Sequence, residues 1–175
     1  SRLYCTRWEG IEKGDAINDA EFNGNILMLL REGMNFVKSN TKRGWKKLPE
    51  GRKNQPEYSM RAVLEAMVNH LIHRDYTVMG GEVHLDIYDD RLVIISPGGM
   101  YNGKLIQDLN LEDVSSERRN PILANVMAQL NYMEKRGSGL TKICKETKAL
   151  NQENENEKVI FKSTSTQFQT IIYST

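Results

Sequence analysis

Glu65, Asn69 and His73 recur every four residues in SMRAVLEAMVNHLIHRDY, so a helix over this stretch carries all three on one stripe. A carboxylate and a carboxamide one turn apart suit a Mg-nucleotide site: Asn offers a neutral oxygen to a hard cation, and Glu orients or deprotonates a water. Downstream, Arg136-Gly137-Ser138-Gly139-Leu140 sets two glycines ahead of a Lys-rich segment. Free backbone N–H groups and the helix dipole can cradle phosphates there, with Lys142 near enough to assist. Ser96-Pro97-Gly98-Gly99 forms a loop able to lie over a ligand. Arg118-Arg119-Asn120-Pro121 stands before a helix, where a guanidinium can reach a nucleotide phosphate or a DNA backbone.

Each of these pieces also has a plain structural counterpart. The polar stripe can be a solvated helix face, the GSG an N-capped glycine turn, the Pro97-Gly98 pair a tight turn, and the arginines partners in structural ion pairs. His73-Arg74-Asp75 echoes a kinase catalytic loop, but no Asn follows where one is required and no β3 lysine pattern precedes it. A Gly-x-x-x-x-Gly-Lys-Ser/Thr pattern does not occur, which excludes a P-loop and with it a helicase motor in this chain.

The elements that must position these groups follow from hydrophobic period and punctuation. Residues 3–8 suit a short strand and 9–19 a turn. From Asp19, Phe22, Ile26, Leu29, Leu30, Met34 and Val37 recur at helical spacing. The run 42–53 holds Lys42, Arg43, Lys46, Lys47, Arg52 and Lys53 against one acid, Glu50, and reads as a basic loop or linker with a short strand near Trp45. Such a run can track a nucleic-acid backbone, although a solvated linker explains it as well. Ser59 opens the second helix, which ends near His73. A β-hairpin then turns at Asp89-Asp90, and LIQDLNLED forms a short helix or turn. Pro121 opens a helix whose buried face would carry Ile122, Leu123, Val126 and Leu130, and Gly137-Ser138-Gly139 opens another. Two strands close the chain after the polar ENENEK segment. The pattern is α+β, with helices on one face of a mostly antiparallel sheet.

With 175 residues, 39% hydrophobic and 27% charged, the chain is long enough for a substantial core and too polar for a membrane protein. Lys+Arg 24 against Asp+Glu 23 leaves a net charge of +1, so no overall drive toward nucleic acid or an anionic membrane is encoded. Cys5 and Cys144 with His70, His73 and His84 make neither a disulfide framework nor a zinc spacing, which fits a reducing cytoplasm. The opening SRLYCTRWEG lacks a signal-peptide pattern and is expected to be the start of a fragment.

The order of the pieces carries more than any one of them. A polar ExxxN helix, a strand running into SPGG, RGSGL opening a helix and a closing strand pair resemble the ATP-binding domain of the GHKL superfamily, the group of gyrase, histidine kinases and MutL. EAMVNHLIHRDY, DDRLVIISPGG, RRNPILANVMAQLNYMEKRGSGLTKI and FQTIIYST are more closely similar to the C-terminal domain of bacterial proteins labelled transcriptional regulators or ATP-dependent DNA helicase RecG-related. The resemblance implies a two-layer GHKL (Bergerat-type) sandwich over 56–175. Residues 1–55 would be strand, helix and basic linker from a truncated upstream Schlafen/AlbA-like domain.

The same resemblance implies roles for individual residues. Glu65 would activate water, Asn69 would ligate Mg beside the phosphates, and Gly137, Ser138 and Gly139 would hold the phosphates. Gly98 and Gly99 would lie beside the adenine. The superfamily's adenine-reading aspartate is replaced here by Ser96, which removes a charge-assisted bond worth about 1.5–3 kcal/mol. His73 and Arg119 complete the expected nucleotide contacts. The expected function is an ATP-binding, Mg-dependent regulatory module with weak hydrolysis at most, reaching DNA through other domains and able to pair as a homodimer. The alternative is a GHKL-shaped interaction scaffold that has lost its nucleotide.

Overall fold

The computed structural model describes residues 1–114, 119–133, 139–150 and 158–175, with backbone alone for 43–48 and 52–55. Six strands form one sheet in the order β2-β1-β5-β6-β8-β7. They are β1 (Arg2–Trp8), β2 (Ala16–Asn23), β5 (Val83–Ile87), β6 (Arg91–Pro97), β7 (Val159–Ser163) and β8 (Gln167–Tyr173). All neighbours run antiparallel except β1 and β5, which are parallel with Leu3 opposite Val83. The helices are α1 (Ile26–Asn40), α2 (Met60–His73), α3 (Pro121–Gln129) and α4 (Gly139–Leu150). Two 3-10 turns, Ile106–Asp108 and Leu111–Asp113, cover the expected LIQDLNLED segment.

The residues that form α2 also position it. Ser59 Oγ accepts from Ala62 N at 3.2 Å and caps the first turn. Ala62, Val63, Ala66, Met67 and Leu71 then turn a buried stripe toward the sheet, where Leu3, Leu85, Leu92, Ile94 and Ile172 meet them in one apolar cluster. α1 joins the same cluster through Leu29, Leu30, Met34, Phe36 and Val37. Its approach is close: a Cβ on Gly33 would lie 2.8 Å from Met67 Cε. Strand alternation sends Tyr88, Val93 and Ile171 to the opposite face, where they form a smaller cluster with Trp8, Ile95, Ile160 and Tyr173. Among the described residues, each α-helix places its buried apolar side chains in the first cluster, so these helices share one face of the sheet.

Three sequence expectations are corrected here. The first helix does not begin at Asp19. Residues 16–23 are the edge strand β2, in which Phe22 pairs with Leu3, and α1 starts after Gly24 with Asn25 Oδ1 accepting from Met28 N at 2.9 Å. AINDAEFN alternates only at Ala20 and Phe22, which pack against the core, and the rest of this exposed edge strand is held by backbone bonds to β1. Second, the basic segment is not a loop. β3 (Arg43–Leu48) and β4 (Gly51–Pro56) pair antiparallel around a two-residue turn as a separate hairpin.

Third, α3 turns the other way. Ala124 and Met127 are buried and Leu123 packs against the core, whereas Ile122, Val126 and Leu130 are 81%, 45% and 47% exposed. PILANVMAQ has no charged residue, so its period does not choose between two apolar faces. Asn120 decides. Its Nδ2 donates to Ile72 O at 2.7 Å and Arg74 O at 3.0 Å, fixing the start of α3 on the C-terminal end of α2.

Of residues 1–55, expected to come from an upstream domain, 1–40 contribute β1, β2 and α1 to the same sheet and core as the rest. Among the described residues, no helix is long and apolar enough to cross a membrane.

Candidate functional site

α2 carries Glu65 and Asn69 toward the first residue of α4. A Cβ on Gly139 would run into the Asn69 carboxamide and lie 2.7 Å from Glu65 Oε1, so the backbone of α4 rests directly on both side chains. One turn further, Lys142 Nζ stands 3.4 Å from Glu65 Oε2. The Glu65 side chain is 7% exposed and that of Lys142 41%, which sets a buried carboxylate beneath a cation that solvent reaches. The N-terminal turn of α4 adds backbone N–H groups without intrahelical partners and the positive end of its dipole. This junction can hold an anion above a carboxylate and a carboxamide. Gly137, Ser138 and Arg118 lie outside the described residues. His73, a further turn along α2, is half-buried.

Asn69 supplies a neutral oxygen of the kind a hard cation accepts, and Mg is commonly held by one or two protein ligands together with phosphate oxygens. Among the described residues, no group of three or more His, Cys, Asp or Glu is disposed to hold a metal. A cation at this junction would take Asn69 and the ligand's own phosphates as ligands.

Ser96 lies inside the core, at 3% exposure. Its Oγ lies 2.7 Å from His70 Nδ1, and His70 Nε2 lies 2.8 Å from Thr170 Oγ1, which ties β6 and β8 to α2. Burial, with a smaller contribution from the neighbouring His73, pushes the His70 imidazole down to about 3, so the ring is neutral. A neutral ring has one donor and one acceptor nitrogen, and this chain uses both.

Gly98 and Gly99 form a loop strapped to its surroundings. Gly98 has φ +90 and donates its N–H to Thr166 O at 2.7 Å, and Pro97 O accepts from Asp75 N at 2.9 Å. Arg119, expected to face a phosphate, donates from Nη2 to Gly99 O at 2.8 Å and pairs through Nη1 with Asp75 Oδ2 at 2.7 Å. Asp75 is held below the usual carboxylate range, chiefly by the Thr77 hydroxyl and N–H, with Arg119 adding to the effect. Arg119 thus makes an ion pair within the protein.

Glu65, Asn69 and Gly139 thus meet at one place with Lys142, while Ser96, Gly98, Gly99 and Arg119 build the packing beside it. The sequence by itself assigns no structural role to His70, Thr170, Asp75 or Asn120. His70 had a signal of its own, as a polar residue on the apolar side of α2 that requires an internal partner.

An α+β domain in which a mixed sheet is roofed by helices, with an acidic and amide pair under a glycine-led helix, is the class that fold and site define. Residues 80–172 match the family described as "Putative ATP-dependent DNA helicase recG C-terminal". The chain belongs to this family of RecG-related, ATPase-like domains. The match contains Ser96, Gly98, Gly99, Arg119 and Gly139, whereas Glu65, Asn69 and His73 precede it. Among solved structures, the DIP2311 protein of Corynebacterium diphtheriae, a Northeast Structural Genomics Consortium target, is similar in fold, with a TM-score of 0.83 at 21% identity. The likeness covers 98% of this chain and 34% of that one, so this chain spans about a third of that protein's length. Comparison with curated proteins gives no match.

Proposed function

We propose that the chain binds a Mg-nucleotide such as ATP at the junction of α2 and α4 and acts as a regulatory module of a larger bacterial, cytoplasmic DNA-binding regulator. Hydrolysis through Glu65 is slow or absent, and the chain unwinds no nucleic acid by itself. The observation that carries this reading is the convergence of Glu65 and Asn69 with the first turn of α4 and Lys142. Four groups suited to a Mg-polyphosphate come together from two helices, and membership of an ATPase-like family supports it. DNA contact belongs to domains outside this chain, whose net charge is +1.

The test is a thermal-shift and calorimetric titration with ATP, ADP and a non-hydrolysable analogue, with and without Mg, beside Asn69→Ala. A ligand at one hundred times its Kd stabilises by about 2.7 kcal/mol. Mg-ATP is expected to stabilise the wild type and not the variant. If millimolar nucleotide moves neither, the reading fails.

A second reading, a GHKL-shaped interaction scaffold without nucleotide, is favoured by the outward Ile122, Val126 and Leu130 stripe on α3. Under it, nucleotide has no effect and the chain self-associates with rising concentration in a manner that Val126→Glu abolishes.

A further inference from the structure

We infer that the β3–β4 hairpin is a clamp for the phosphate backbone of duplex DNA, entering the major groove tip first. The inference is independent of the nucleotide site. Sequence reading stays with the domains outside this chain, and the hairpin adds a contact that is blind to sequence.

Between Lys42 and Lys53, six cations stand against one acid, Glu50, while the remaining residues hold more acids than bases. The net charge of +1 therefore conceals a strong local excess on this one element. The register concentrates it further, because Lys46 pairs with Lys53 and Lys47 with Arg52, two adjacent cation–cation pairs beside the turn. Like charges directly opposite destabilise a ribbon, and a two-stranded ribbon by itself is marginal. Such a register gains from an anion that neutralises it. Successive residues of a strand take opposite faces, so Lys46 and Lys53 share one face of the ribbon and Lys47 and Arg52 the other.

The hairpin is fastened at its base and exposed at its tip. Glu57 N donates to Lys42 O at 3.3 Å, Lys42 N donates to Glu57 Oε2 at 3.2 Å, and Thr175 N donates to Glu57 O at 3.1 Å, next to the buried Tyr58. Pro49, Glu50 and Gly51, at the other end, are exposed. Cations on both faces separate the partners that a basic element could take. A membrane or a flat acidic protein surface engages one face of a ribbon and leaves the pair on the other face repelling. A groove has a phosphate strand on each side. The major groove of B-DNA is about 12 Å wide and about 8.5 Å deep and admits a two-stranded ribbon, and at about 3.4 Å per residue both cationic pairs lie within roughly that depth of the turn. The major groove of A-form RNA is too narrow for it.

Fluorescence anisotropy of a labelled DNA duplex of mixed sequence, titrated with the full chain at several salt concentrations and without nucleotide, tests this. Four engaged cations give a slope of log K on log salt near about −3.6, so the dissociation constant is expected to rise on the order of a hundredfold from about 50 to about 200 mM salt. Lys46→Gln with Lys53→Gln, and Lys47→Gln with Arg52→Gln, are each expected to make that slope shallower by about 1.8. Neither pair is expected to lower the melting temperature, since each change removes a repulsion. Lys145→Gln with Lys148→Gln, the same loss of charge on exposed positions of α4, is expected to leave the slope unchanged. The inference falls if the wild-type chain does not bind the duplex by about 100 µM at low salt, the weak end of sequence-independent binding. It falls equally if the α4 variant loses as much as the hairpin variants, if only one of the two hairpin pairs matters, or if duplex RNA of the same sequence binds as tightly.

Discussion

Lys142 Nζ lies 3.4 Å from Glu65 Oε2, and this pair joins α4 to α2 across the candidate site. A phosphate arriving at the first turn of α4 competes with Glu65 for the same ammonium. Lys142→Met is therefore expected to weaken Mg-ATP roughly tenfold to a hundredfold, the range of one lost charge-assisted bond. The effect on stability is small, within about 1 kcal/mol, because the lysine side chain is 41% exposed. Glu65→Gln is expected to retain binding and remove any phosphate release, as read by calorimetry beside a phosphate assay.

His70 ties the fold to pH. Its folded pKa is about 3 against 6.5 for the free side chain, so below pH 6.5 the unfolded chain binds a proton that the folded chain refuses. The stabilisation is complete above about pH 6.5 and is lost as pH falls toward 3, at up to about 1.4 kcal/mol per unit from this one group. Urea denaturation at pH 7.5 and pH 5.5 should show the fall, and His70→Gln should flatten it. An unchanged slope in the variant would sink the assignment.

The contact at Gly139 is tight. Gly139→Ala sets a methyl against the Asn69 carboxamide and Glu65 Oε1 and is expected to lose about 1–3 kcal/mol of stability. It should weaken nucleotide binding as well. Gly14→Ala is the control, since nothing lies within 4 Å of a Cβ there. Equal melting temperatures for the two variants would show that α4 does not rest on α2 in solution.

The two thiols should differ in reactivity. Cys5 lies in β1 with no exposed surface, and burial pushes its thiol up to about 12. Cys144 on α4 is half-buried. Iodoacetamide is expected to label Cys144 in the folded chain and to reach Cys5 only in denaturant, as read by peptide mass spectrometry. Rapid labelling of Cys5 would mean that β1 is not part of the core.

Where side-chain period and local caps carry the information, the structure was legible in advance. Ser59 and the apolar stripe of α2 specify that helix, and the Asp89-Asp90 turn specifies the β5–β6 hairpin. The one-turn spacing of Glu65 and Asn69 puts them on a common stripe whatever packs above it. The candidate site was legible to that extent, together with the glycine-led helix that meets it.

What no local pattern contains is which partner a group will find across the chain. β2 is a strand because β1 lies beside it, and β1 is in the sheet because Leu3 finds Val83 eighty residues away. α3 has apolar residues on both sides, and only the anchoring of Asn120 to the end of α2 chooses the buried one. Ser96 and Arg119 look from the sequence like ligand contacts. Tertiary packing gives the hydroxyl to His70 and the guanidinium to Asp75 and Gly99. The physical reason is the same throughout: backbone period and capping are settled within a turn or two, whereas a buried polar group is satisfied by whatever the folded chain brings within 3 Å of it.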